Sequence, residues 1–403
     1  MNATATQTST SPTPILDRLA PLPKMESALK GSVTILVLWF AFVFVAAFTL
    51  FVWNPPFARS GARAIAAMMG PLDFRHWTGA TPVLYFFALL AAMFTAVAIH
   101  EVAHAVAGVL VGLRFNSLRI GRLQFDRPFR VSLYRGKGTG AGGWASLLPV
   151  GQDRLILRTV TMLLAGPVSN LVTVFLLVLW PHFNGMFSAL FFTISLLLGL
   201  MNLVPFRSRA VISDGGRILM LLRNRARGER WLATLKLVEE LRTGVAYEKL
   251  TPGFLAKVVA IEDNSPDTVV AYALAYGAAF WGRKDDEAAQ ALETCLRHSN
   301  VASPSQRQGL MADAAVFQAR RKKRIDLAEQ WLADIPEKGE YPWMRPRCDA
   351  AILEAKGDIT GALRKLDEIE KMILAFPNQA LREISLNGLR RWKAELEQNT
   401  MLS

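Results

Sequence analysis

Hydrophobic and polar residues are distributed very unevenly along the chain. Four long apolar runs lie before residue 206, at Val33–Trp53, Pro82–Leu113, Thr159–Trp180 and Met186–Phe206. A bilayer is spanned by about 20 apolar residues, so each run has the length of a transmembrane helix. The second is longer than the hydrocarbon core requires and must tilt or protrude. The third and fourth are joined only by "PHFNG", which makes them an antiparallel hairpin. Between the second and third runs, "NSLRIGRLQF" and "RPFRVSLY" alternate with period two, a glycine-rich "GKGTGAGG" follows, and short strands are predicted there. Unpaired strands cannot face lipid, so this β-element belongs at the interface or in a protein-lined cavity.

After about Gly228 the period changes to that of amphipathic helices. Three stretches, "AYALAYGAAFWGRKDDEAAQAL", "DAAVFQARRKKRIDLAEQWL" and "DAAILEAKGDITGALRKLDEI", share one plan. Each has small residues on a first helix, a polar turn, then Ala and Leu on a second. Ala288, Ala328 and Ala362 follow the three turns at intervals close to the tetratricopeptide period. The expected architecture is mainly α: a polytopic membrane domain over 33–222, with about four spans and the β-element, then a soluble helical-hairpin repeat domain over 228–398. Residues 1–32, rich in Ser, Thr and Pro up to Pro23, are expected to be disordered, and no signal peptide opens the chain.

Charge fixes the expected orientation. The chain has 403 residues and a net charge of +13 although 52% of its residues are hydrophobic. Nine basic residues, from Arg114 to Arg158, separate runs two and three, and Arg207 to Arg227 follow run four, whereas "PHFNG" carries no charge. By the positive-inside rule both basic regions, and the C-terminal half with them, face the cytoplasm. No nucleic-acid motif accompanies the basic excess. Cys295 and Cys348 have neither zinc-type spacing nor the number needed for a disulfide framework, and are read as reduced thiols.

The second run contains "AVAIHEVAHAVAGV" (Ala96–Val109). A charged group at a bilayer centre costs roughly 2.5 kcal/mol or more, so ionisable residues there mark function by default. His100 and His104 project from one helical face a turn apart. Two imidazoles so placed can share a tetrahedral zinc, with Glu101 beside the bound water. Zinc lowers the pKa of that water towards about 7, and a carboxylate can take its proton. The bland alternative is a pair of core histidines bonded across helices. Asp214, in "VISDGGRIL", lies past run four on the same membrane face and can meet them, but a helix N-cap fits it equally well locally. Asn170, in "LLAGPVSNLV", is either an interhelical hydrogen-bonding residue or part of a polar site.

Taken together, His100-Glu101-x-x-His104, "AGPVSN", and "NLVP" followed by "SDGG" resemble the site-2 protease family of intramembrane zinc metalloproteases over about Pro82–Leu222. The resemblance implies one zinc ion held by His100, His104 and Asp214, with Glu101 as general base and Asn170 assisting the substrate carbonyl. It also implies a β-element that holds an extended substrate. The chain departs from the commonest family form in a longer link, through "FRSRAVI", between Asn202 and Asp214, and in lacking a PDZ-like domain. The expected partners are a membrane-protein substrate, the lipid bilayer and a protein bound to the helical repeats, with no nucleic acid. Two other functions compete. A zinc-retaining, non-proteolytic scaffold would have no need of Glu101, and a metal transporter would carry polar residues along several spans.

Overall fold

The computed structural model describes residues 14–25, 79–127, 130–133, 142–151, 153–179, 185–206, 212–376 and 379–402. The first apolar run, Val33–Trp53, lies outside the described residues. The chain divides into two compact units, one built from residues 27–239 and 377–379, the other from 1–26, 240–376 and 380–403.

In the first unit, α1 (Thr81–Leu110), α2 (Leu155–Leu179) and α3 (Met186–Leu203) are the described helices long and apolar enough to cross a membrane. Pro82 starts α1 at a position where its missing N–H costs nothing. Where the helices pack, small residues are fully buried, Ala92 and Ala96 of α1 and Ala189 and Ser195 of α3, and the larger Leu190 and Phe191 of α3 fill the space beside them. Small side chains let apolar helices approach closely when lipid offers no competing hydrophobic drive. Gly199 illustrates the fit, since a Cβ there would crowd Leu171 and the Pro167 carbonyl of α2. Phe86, Phe87 and Phe94 on α1, and Phe175 and Leu176 on α2, point outward and are exposed.

Four antiparallel strands connect α1 to α2, as expected: β1 (Arg114–Ile120), β2 (Leu123–Asp126), β3 (Arg130–Leu133) and β4 (Gly143–Leu148), in spatial order β3-β2-β1-β4. Leu147 of β4 joins Leu113, Met162, Leu163, Leu221 and Leu232 in one buried cluster. Leu221 belongs to α4 (Asp214–Arg223) and Leu232 to α5 (Arg225–Arg242). The Lys236 ammonium donates to the Pro149 carbonyl, and Arg114 pairs with Glu239. Most of α5 therefore packs with the membrane unit, which moves the expected boundary at 228 to about 240.

The second unit is a stack of helical hairpins: α6 (Pro252–Val259) precedes α7 (Pro266–Trp281) with α8 (Asp285–Arg297), α9 (Pro304–Arg320) with α10 (Ile325–Ala333), and α11 (Met344–Ala355) with α12 (Ile359–Leu374), followed by α13 (Gln379–Leu402). Ala288, Ala328 and Ala362 are fully buried. The residue two places before each second helix, Arg283, Lys323 and Gly357, has φ of 57°, 55° and 85°. The same left-handed turn therefore recurs with the spacing of the alanines. Disorder over residues 1–32 is corrected for 14–25, which pack into this unit: Ile15 and Leu16 belong to its core.

Candidate metal centre

The C-terminal half of α1 carries His100, Glu101 and His104, all buried among largely apolar helices. Each imidazole is oriented through its Nδ1. That of His104 lies 2.7 Å from the Met162 carbonyl of α2. A carbonyl has no proton to give, so the ring nitrogen carries the hydrogen. The Nδ1 of His100 lies 2.7 Å from Asn170 Oδ1, and the Asn170 amide nitrogen donates to the Ala96 carbonyl at 3.1 Å, which fixes which way the amide points. With both Nδ1 atoms protonated, the neutral rings turn Nε2 lone pairs inward. The two Nε2 atoms are 3.1 Å apart.

Asp214 completes the cluster. Its Oδ2 lies 3.3 Å from each of these Nε2 atoms. Its position depends on how α3 ends and α4 begins. Ser213, not Asp214, is the N-cap of α4: its hydroxyl accepts from the Gly216 N–H at 3.0 Å. The same hydroxyl donates to the Val204 carbonyl and accepts from the Phe206 N–H, while the Ser213 N–H donates to the Phe206 carbonyl. Both ends of the unusually long link are thus tied together at its base, and its length does not displace Asp214. Gly215 permits the approach, because a Cβ there would strike the Leu203 carbonyl.

Among the described residues this is the one group of three His, Cys or acidic side chains whose ligand atoms come together as for a metal ion. Donor atoms around a tetrahedral ion with bonds of about 2.0–2.2 Å lie roughly 3.3–3.5 Å apart, within a few tenths of an ångström of the distances between these three. Asp214 Oδ2 is buried and accepts no hydrogen bond, so three atoms able to act as ligands converge on one point. The donor set fits a divalent cation such as zinc, which His100, His104 and Asp214 would hold.

Glu101 is 8% exposed and lies against the start of β4, where a Cβ on Gly143 would collide with its side chain. β4 is an outer strand, and among the described strands it pairs only with β1. Asn170 is fully buried, and its amide is engaged by the His100 ring and the Ala96 carbonyl. Asn202 bonds back to Leu198 on its own helix. The pattern of the sequence did not single out Met162, Gly143 or Ser213, and it marked Gly166 only as a residue that loosens its helix. Met162 acts through its main chain, which no side-chain motif reports. Gly166 matters because a Cβ would overlap the His104 ring, and its only signal is its place within "AGPVSN". Comparisons of the chain with protein-family models, with curated proteins and with solved structures return no match.

Proposed function

We propose that the chain is an intramembrane zinc endopeptidase that cuts a membrane-protein substrate within or beside its transmembrane segment, with its site towards the cytoplasmic face and its helical-hairpin unit in the cytoplasm. The observation that carries this reading is the convergence of His100 Nε2, His104 Nε2 and Asp214 Oδ2 at 3.1–3.3 Å, with both Nδ1 atoms committed elsewhere. When bound, zinc supplies Lewis-acid chemistry, making water more acidic and polarising a carbonyl. His100 and His104 hold that ion through nitrogens that Asn170 and Met162 keep unprotonated. Glu101, next to His100 in sequence, takes a proton onto its carboxylate and returns it to the leaving amine. The outer edge of β4, unpaired among the described strands, starts against Glu101 and offers main-chain partners to an extended substrate. A transmembrane substrate has to unwind there, because helical amides are already hydrogen-bonded and shielded. A purely structural metal site would gain nothing from a buried carboxylate beside it, which weighs against the scaffold reading.

The test compares membrane-protein fragments in cells carrying the natural chain or Glu101→Gln, together with the metal content of both purified proteins. The proposal expects cleavage to be lost while zinc stays bound. Unchanged cleavage by purified Glu101→Gln defeats it.

A further inference from the structure

Residues Pro14–Lys24 occupy a cleft formed by α8, α9 and α10, and the contacts there are of a kind that recognises a peptide. The Glu293 carboxylate of α8 accepts two successive main-chain N–H groups, from Ile15 at 3.0 Å and Leu16 at 2.8 Å. The Leu16 carbonyl accepts from Gln318 Nε2 of α9 at 3.0 Å and from Trp331 Nε1 of α10 at 3.1 Å. Further along, Arg307 donates to the Pro23 carbonyl at 2.6 Å. Main-chain atoms of the segment are thus read by side chains on three helices. Its own side chains add selectivity. Ile15 and Leu16 are 7% and 5% exposed in the apolar core. The Arg18 guanidinium lies 4.0 Å from the centre of the Trp331 ring and donates to the Gln330 carbonyl and the Asp334 carboxylate, both at 2.7 Å. Arg18 has φ of 61°, a conformation that a non-glycine residue keeps only when its contacts outweigh the strain.

These contacts join residues 277 to 316 positions apart in sequence. Over such a distance chain connection acts as an effective concentration and not as a rigid constraint, so the segment behaves thermodynamically as a tethered ligand.

We propose that the cleft of α8, α9 and α10 is a peptide-binding site, that Pro14–Lys24 is its resident ligand, and that it takes in exchange a partner peptide of the same chemistry. That chemistry is an unstructured segment with two adjacent aliphatic residues and an arginine two positions after the second, as in Ile15-Leu16-Asp17-Arg18. The inference does not depend on the proteolytic reading, because none of its residues belongs to the metal centre.

The test uses the full chain in detergent and a fluorescent synthetic peptide of residues 13–25, with binding read as anisotropy. The natural chain is expected to bind the peptide at least tenfold more weakly than a chain carrying Leu16→Asp and Arg18→Ala. Those substitutions put a carboxylate into the apolar core that holds Leu16 and remove the Arg18 contacts to Trp331 and Asp334, which releases the tethered segment. Adding Glu293→Ala to the released chain is expected to weaken peptide binding at least tenfold, and a scrambled peptide is expected not to bind. A released chain that keeps its helical content yet ignores the peptide overturns the proposal. In case the released chain does not fold, a chain lacking residues 2–24 is melted with and without the peptide. Recovery of its melting temperature by the peptide supports the proposal. Failure to recover makes the segment an integral part of the fold and overturns it.

Discussion

His100 Nδ1 and Asn170 Oδ1 are 2.7 Å apart, across two helices and 70 positions of sequence. This bond keeps the Nε2 lone pair of His100 aimed at His104 and Asp214. Removing such a supporting partner typically costs about 10–100-fold in metal affinity. Asn170→Ala is expected to fall in that range, measured by competition with a zinc chelator. Asn170→Asp, which keeps an acceptor at the same place, is expected to lose less. Equal affinity in natural and Asn170→Ala proteins would show that His100 needs no such support.

The backbone of α2 lies so close to the His104 ring that only glycine fits at residue 166. Gly166→Ala must push the ring or the helix away, and a misplacement of about 1 Å in a catalytic group costs roughly 100-fold in rate. Both zinc occupancy and cleavage are expected to drop. Gly185→Ala, at a glycine with open space around it, is the matched control and is expected to change neither. Full occupancy in Gly166→Ala would contradict the close approach.

Ser213 and Asp214 are adjacent but have separable roles. Asp214→Asn leaves the helix cap intact, so metal content is expected to fall while the metal-free variant melts like the metal-free natural chain. Ser213→Ala removes the cap, which is worth about 1 kcal/mol, and also unties the base of the 207–211 link, so stability is expected to fall first. Metal analysis and thermal melting of the two variants separate the roles, and a normal zinc content in Asp214→Asn would remove that residue from the ligand set.

The hairpin turns predict a difference between chemically similar changes. Gly357 has φ of 85° and open space for a Cβ, so Gly357→Ala adds strain without a clash. The expected cost is roughly 1–2 kcal/mol. Lys323→Gly, at the matching position of the preceding hairpin, removes the same kind of strain and is expected to be neutral or stabilising. Urea unfolding followed by tryptophan fluorescence measures both.

Because Pro14–Lys24 packs within the helical-hairpin unit, that segment and the unit must lie on the same side of any membrane the chain crosses. Lys24→Cys and Lys284→Cys, both at exposed positions, are expected to react with a membrane-impermeant maleimide from the same side of sealed vesicles. The native thiols should give no background: Cys295 and Cys348 are buried, and burial pushes the Cys348 thiol up to about 12. Labelling of the two positions from opposite sides would refute the packing.

Much of this arrangement was legible in the sequence because it rests on periodicity. The spacing of His100 and His104 fixes a shared helical face wherever the helix lies. The apolar runs fix which helices can cross a membrane, and the strand alternation after Arg114 fixes the β-element. Ala288, Ala328 and Ala362 announced the hairpins because each must sit where no larger side chain fits. Asp214 was only half legible. Locally it could have been a cap, and Ser213 beside it is by type as good a cap, so the sequence left the choice open.

The sequence by itself determined element type and length, the transmembrane candidates and the two histidines, since these follow from contacts within a few residues along the chain. Tertiary structure alone decided the rest. It assigned Asn170 to His100 and Met162 to His104, placed Gly166 against an imidazole and Gly143 against Glu101, and moved the unit boundary into α5. It also took residues 14–25, which by composition read as disordered, and ordered them against Glu293, Gln318 and Trp331. The physical reason is the same in each case. These contacts join atoms far apart in sequence and depend on where two backbones approach, and local composition carries no information about that distance.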